Sequence, residues 1–387
     1  MTAPQESTPT ANAPAASDGQ HNGSTLASDP VENQDASPTQ QNIELDLPIS
    51  AADGLIQKPF PSPLDTAKVP TPAKLTPDQQ TKYDAVLKAV SAWTTIPVSS
   101  AKNAETEPIN DGERMFLTRE CLLRYLRATK WNVSEAIARL QRTLTWRREY
   151  GVEKLTADYI SIENETGKQV QLGYDIHGRP CLYLLPSNQN TEKSDRQIEH
   201  LVFMLERVID LMGPDQETLA LVVNFNETKS GQNATVGQAK QTLNILQNHY
   251  PERLGRALVI NVPFVIWGFF KLITPFIDPQ TRQKLKFNED LRQHVPPEHL
   301  MKSVGGDVEF RYDHSIYWPA LNQLADKRKN EYRERWVQGG KQIGEYENYL
   351  KTGQKPSLSQ KQDSNGVEEK TQNGGNGENG EAKETSA

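Results

Sequence analysis

Polar and apolar positions change rhythm several times along the 387 residues. Thr76-Pro77-Asp78 is a helix-start signature, and Tyr83, Val86, Leu87, Val90 and Trp93 follow it at helical spacing. Leu117, Leu122, Leu123 and Leu126 mark a second helix. Asn132 or Ser134 caps a third, with Ile137, Leu140 and Leu144 on its inner face. These patterns predict a small helical bundle over 76–150. The period then drops to two: Val170, Leu172 and Tyr174 share one side of a strand at Gln169–Tyr174. Asp175-Ile176-His177-Gly178 reads as a turn into a partner strand at Arg179–Leu185. Ser194 and Gln197 have capping-box spacing ahead of Ile198, Leu201, Val202, Leu205, Val208 and Ile209. Strands at Thr218–Phe225 and 256–262 flank a helix at about 235–249. Strands alternating with helices imply crossovers and an α/β fold with a mostly parallel sheet.

One stretch breaks every period. After Pro263, ten of the fourteen residues 264–277 are apolar: Phe264, Val265, Ile266, Trp267, Phe269, Phe270, Leu272, Ile273, Phe276 and Ile277. A helix apolar on all sides is not built to pack one face on one core. It is also shorter than the ~20 residues that a bilayer span needs. Two readings remain open, a fully buried helix or a helix that covers a hydrophobic ligand and touches membrane. Just beyond it, Asp278-Pro279 starts a short helix. Thr281 and Lys284 lie three apart on that helix, near its positive end, a combination suited to phosphate. A solvated surface lysine is the plainer alternative.

Composition places these features. Residues 1–75 carry nine acidic and three basic side chains, and 363–387 carry six and two. The whole chain is −7, so 76–362 is about +3. That suits an anionic membrane surface and is far too little to imply nucleic acid. Residues 1–75 are rich in Pro, Ser, Thr and Gln, and are expected to form an unpacked tail. The same expectation holds for 351–387. Residues 316–350 read as a mostly exposed terminal helix. Met1 onward shows no secretory signal, and two cysteines, Cys121 and Cys181, give no disulfide framework. A cytoplasmic protein with peripheral, transient membrane contact is the expectation.

Catalytic patterns are scarce. No nucleophile elbow, P-loop, dinucleotide fingerprint or zinc-protease motif occurs, and the seven histidines show no metal-ligand spacing. Cys121 and Arg127 have the spacing of cysteine-dependent phosphatases, but Leu-Leu-Arg-Tyr-Leu between them is a helix, not a phosphate cradle. No catalytic residue, metal or cofactor is expected.

Several segments together carry a resemblance. Leu122-Leu-Arg-Tyr-Leu-Arg-Ala-Thr-Lys-Trp131 resembles the N-terminal helical signature of CRAL-TRIO lipid-binding proteins, and Trp146-Arg-Arg-Glu-Tyr-Gly151 the end of that domain. Asp175-Ile-His-Gly-Arg-Pro180, Tyr250-Pro-Glu-Arg-Leu-Gly255, Asn261-Val-Pro263 and Pro275-Phe-Ile-Asp-Pro279 resemble the lipid-binding domain. Within the family the chain is similar to fungal phosphatidylinositol transfer proteins, nearest the pleiotropic-drug-resistance subgroup. The resemblance implies a helical domain at 76–150 and a lipid-binding domain at 151–315, with a parallel sheet as floor and 264–277 as gate. It implies a phosphatidylinositol headgroup held by Thr281 and Lys284 at the phosphate and Glu252 at the inositol hydroxyls. Lys130 would support them, beside Thr129, where many members have an arginine. Ser and Thr hydroxyls that accompany phosphatidylcholine carriage are replaced by Asn224-Phe-Asn-Glu-Thr-Lys229. The implied second ligand is therefore a sterol or another flat apolar lipid. A non-exchanging sensor that presents its lipid to a lipid kinase is the alternative.

Overall fold

The computed structural model describes residues 45–360 and, within α8 below, omits the side chains of Val265 and Phe269. The helical part contains α1 (Pro77–Ser91), α2 (Asp111–Phe116), α3 (Arg119–Ala128) and α4 (Val133–Tyr150). Capping fixes their starts. Thr76 and Gln79 exchange bonds across the first turn of α1, and Asn132, not Ser134, accepts the Glu135 N–H at 3.0 Å to start α4. Val86, Val90, Leu122, Leu126, Leu140 and Leu144 fill the bundle's centre. A hairpin, β1 (Thr95–Pro97) and β2 (Thr106–Pro108), was not legible in the sequence, since three-residue strands ending in proline carry no period. The Arg148 guanidinium pins it by donating to the carbonyls of Ile96 and Pro108 while pairing with Glu113.

After the short α5 (Ala157–Ser161) the chain enters its sheet: β3 (Gln169–Tyr174), β4 (Pro180–Leu184), β5 (Leu219–Asn224), β6 (Leu254–Ile260) and β7 (Leu285–Phe287). Strand order follows chain order. β3 pairs antiparallel with β4, and the remaining pairs are parallel. The parallel connections are α6 (Arg196–Asp210), α7 (Val236–His249), and α8 (Phe264–Ile273) with α9 (Pro279–Gln283). Right-handed crossovers that step one strand at a time in one direction put their helices on one face. At the β3–β4 bend, Gly173 has φ 68° and an added Cβ would lie 2.1 Å from the His299 carbonyl oxygen, so only glycine fits.

Four expectations are corrected. α6 starts without a capping box: Asp195 precedes it with no side-chain cap, and the Gln197 amide turns back to Thr191 and Glu192. Residues 45–75 are not an unpacked tail. They run along the domain as an extended strap, in which Ile56 exchanges backbone bonds with Glu309 and Arg311. Phe60 is 1% exposed and stacks on His299 at 4.6 Å. Pro59, Pro61 and Pro63 keep this stretch extended and cheap to order, so buried Ile56 and Phe60, with Leu45, Leu47 and Ala51 packed against the same core, suffice where average composition argued for disorder. The part of that expected tail before residue 45 lies outside the described residues, as does 361–387.

The terminal helix is likewise not mostly exposed. α10 (His314–Gln338) buries Tyr317, Trp318, Leu321 and Leu324 in the sheet domain's core, and its charges crowd the later turns. Nor does order stop at 350. α11 (Glu347–Thr352) follows, Ser357 is buried and the Leu358 N–H donates to Glu345 at 2.9 Å.

Two predictions arise here. Phe60→Ala should destabilise the protein by about 3–5 kcal/mol, read as a lower urea midpoint, because the residue fills a closed site. The second concerns acid. Arg147 on α4 forms a two-pronged pair with Glu206 on α6 at 2.8 and 3.0 Å, and the Tyr250 hydroxyl donates to the same carboxylate at 2.7 Å. Burial alone would raise this carboxyl, but Arg147 and Tyr250 outweigh it and hold the pKa at about 2, against 4.5 for a free glutamate. A depressed carboxylate contributes stability that is complete above pH 4.5 and lost as pH falls toward 2. Thermal melts across that window should show the loss, and Glu206→Gln should shrink it.

Candidate lipid-binding site

The side chains expected at a headgroup site sit just before parallel strands: Glu252 before β6, Thr281 and Lys284 before β7. They therefore share the amino edge of the sheet. Glu252 has φ 58°, a left-handed conformation that is uncommon for a residue with a side chain and typical of a tight functional turn. Its carboxylate accepts from Arg127 Nε at 2.5 Å. Lys284 donates to the Leu254 carbonyl at 2.6 Å and, among the described residues, forms no ion pair. Burial lowers the pKa of its ammonium, and the nearby Glu252 and Asp278 pull it only partly back. A half-buried cation that forms no ion pair is electrostatically open to an anion.

Thr281 is committed to Asp278. Its N–H donates to Asp278 Oδ1 at 2.9 Å, and burial, which would raise the Asp278 carboxyl, is outweighed by hydrogen bonds from the Thr281 side chain and backbone. α9 has five residues, so the phosphate-binding reading rests on the Lys284 and Thr281 side chains rather than on a helix end. Lys130 is set apart. It lies exposed in the left-handed turn after α3, with φ 52°, and its side chain has no hydrogen bond or ion pair among the described residues. Arg127, one turn earlier on α3, is the residue that reaches Glu252. Arg124, Arg127 and Lys130 recur every third residue, a stripe that could have pointed to this face of α3.

From Arg127 the charges alternate inward. Its second prong meets Glu217 at 3.1 Å, Glu217 meets Arg124 at 2.8 Å, and Arg124 meets Glu347 of α11 at 2.9 Å. Burial raises Glu347, but Arg124 and Lys351 hold its carboxyl far below the usual range. Beside this chain lies a cavity of about 570 Å³ whose walls include Arg124, Tyr125, Glu206, Arg253, Lys329 and Glu347. It separates the helical part from α10 and is not the space beneath α8.

That space is defined by the sheet. Strand register places Leu184, Val223, Val259 and Phe287 in one row and Leu182, Leu221, Ala257 and Leu285 in the next, on the same face. Every one of these eight is apolar. β5 is the central strand, yet Leu221 and Val223 remain half-exposed, where a sheet covered on both faces would bury them. α7 covers this face loosely, with Ile245 as its buried residue. α8 lies over the far end: Trp267 and Phe270 meet the Phe287 ring at centroid distances of 4.9 and 5.0 Å. Ile266 and Ile273 are buried, whereas Phe264 is 90% exposed, Leu272 61% and Phe276 48%. The helix is thus neither wholly buried nor free. The side chains of Val265 and Phe269, expected with this group, lie outside the described residues. Among the described residues no helix is long and apolar enough to cross a membrane.

Comparison with known proteins agrees with this architecture. Residues 82–142 match the family described as CRAL/TRIO, N-terminal domain, and residues 164–306 the CRAL/TRIO domain. A CRAL-TRIO domain-containing protein of Schizosaccharomyces pombe is 50% identical over 333 residues, covering 86% of this chain and 33% of the relative. The chain thus spans about a third of that relative's length. The phosphatidylinositol transfer protein PDR17 of Saccharomyces cerevisiae is 36% identical over 300 residues, covering 73% of this chain and 86% of its own. The crystal structure of Sfh5 aligns with a TM-score of 0.44 at 16% identity, over 67% of this chain and all of that one.

Proposed function

The chain belongs to the CRAL-TRIO family of non-enzymatic lipid-binding proteins, and from that premise we propose that it is a phosphatidylinositol carrier. The observation that carries the reading is one continuous arrangement. Two apolar rows of the sheet lie under a half-exposed apolar helix and end, at the amino edge, beside an unpaired and partly desolvated Lys284. The likeness to PDR17, named as a phosphatidylinositol transfer protein, supports the same ligand.

In this reading the acyl chains lie on Leu184, Leu221, Val223 and Phe287. The phosphate takes Lys284 and the Thr281 hydroxyl, which exchanges its bond to Asp278 for one to the phosphate, and Glu252, oriented by Arg127, accepts from inositol hydroxyls. Each buried CH2 is worth ~0.8 kcal/mol, so two chains cannot leave a bilayer without an equivalent apolar enclosure. α8 supplies the moving wall. It swings between Asn261, which holds φ 53°, and the Thr274-Pro275 bend, so that its outer apolar residues are covered by lipid in the open state. A sterol or similar flat lipid occupies the same floor in exchange. The test is transfer of labelled phosphatidylinositol between vesicles. Catalysed transfer, competed by unlabelled sterol, is the expected result, and tight binding without transfer would indicate a sensor that presents its lipid.

A further inference from the structure

The segment that carries α7–α9 differs in charge from the chain as a whole. The chain has a formal charge of −7, yet residues 228–286 hold eight Lys or Arg against two carboxylates, Glu252 and Asp278. Both carboxylates are engaged, Glu252 by Arg127 and Asp278 by Thr281. Four of the cations are exposed, Lys229 ahead of α7 and, on the helices, Lys240, Lys271 and Arg282; the last three form no ion pair among the described residues. They frame the exposed apolar residues. The Lys240 ammonium lies 4.5 Å from the Phe276 ring centroid, Lys271 is adjacent to Leu272, and Arg282 donates to the Ile277 carbonyl at 3.2 Å.

We propose that this face is a docking surface for anionic bilayers, with Phe264, Leu272 and Phe276 entering the acyl boundary while Lys240, Lys271 and Arg282 meet lipid phosphates and carboxylates. Apolar area and unpaired cations on one face are what interfacial binding combines. A soluble protein partner would bring carboxylates at fixed positions but would have to leave this wall to move, whereas a fluid lipid surface covers it in any position. The inference rests on the carrier reading only in taking α8 as the membrane-facing wall. It adds which membranes the carrier visits.

The test is flotation of the full chain with phosphatidylcholine vesicles, with and without one-third phosphatidylserine. Each cation near an anionic surface is worth about fivefold in partitioning. A Lys240→Gln, Lys271→Gln, Arg282→Gln triple variant should therefore lose on the order of 100-fold on the anionic vesicles. Binding should fall with added salt, and exchanging each cation for the other basic residue should restore it. Equal binding to both vesicle types, or a triple variant that floats like the parent, would overturn the proposal. Uptake of phosphatidylinositol from neutral detergent micelles separates the two readings. A protein that floats on anionic vesicles but takes up no phosphatidylinositol supports the surface and sinks the carrier.

Discussion

Arg124→Met is expected to destabilise the protein by about 3–5 kcal/mol, the usual cost of leaving buried charges without their partner. The Arg124 side chain is 4% exposed and is gripped from both sides, by Glu217 at 2.8 Å and Glu347 at 2.9 Å. Glu347 in turn takes the Thr118 hydroxyl at 3.0 Å and Lys351 at 3.2 Å. Without the guanidinium, two carboxylates face each other across the join of α3, the entry to β5 and α11. Arg127, Arg253 and Lys351 compensate only in part. Urea denaturation should show the lowered midpoint, and adding Glu347→Gln should return part of it by removing one of the orphaned charges. A loss below about 1 kcal/mol would mean that the pairs behave as surface ion pairs do.

The second large effect is on the ligand. Lys284→Ala should weaken phosphatidylinositol binding by about 10- to 100-fold, the range for losing one charge-assisted hydrogen bond. It should leave binding of a sterol unchanged, since that ligand needs only the apolar floor. Stability should change little, because the residue lost is a cation whose burial is already unfavourable. Measuring both ligands on the same folded variant separates headgroup recognition from damage to the floor. Loss of both would place the headgroup elsewhere.

What was legible in the sequence follows from where the determining contacts lie. The bounds of the strand Gln169–Tyr174 and of the helix before His249 matched because period is local, although Gln169 and Gln171, on the strand's polar side, are buried as well. The apolar stretch 264–277 announced itself by having no polar face, but only the structure divides it into buried Ile266 and Ile273 and exposed Phe264 and Leu272. The strap was hidden because Ile56 and Phe60 are two anchors in a long polar stretch, and their partners, Glu309 and His299, lie far along the chain. α10 was misjudged because the charges of Lys327 to Arg335 outweighed the earlier core-facing turn of Tyr317, Leu321 and Leu324.

The site shows the same division. Thr281 and Lys284 came from their spacing on a short helix and Glu252 from motif resemblance; all three lie just before parallel strands. Arg127 is 125 residues from Glu252, so no local pattern joins the two. Lys130 is its neighbour on the same stripe but projects beyond the helix end into solvent.

The most direct measurement is native mass spectrometry with lipid extraction on the chain purified from a eukaryotic host, alongside Lys284→Ala. The expected result is one phosphatidylinositol per chain on the parent, a sterol or similar apolar lipid on the remainder, and a strongly reduced share of phosphatidylinositol on the variant. A parent that co-purifies with no lipid and also fails to take up phosphatidylinositol from vesicles would contradict the carrier reading.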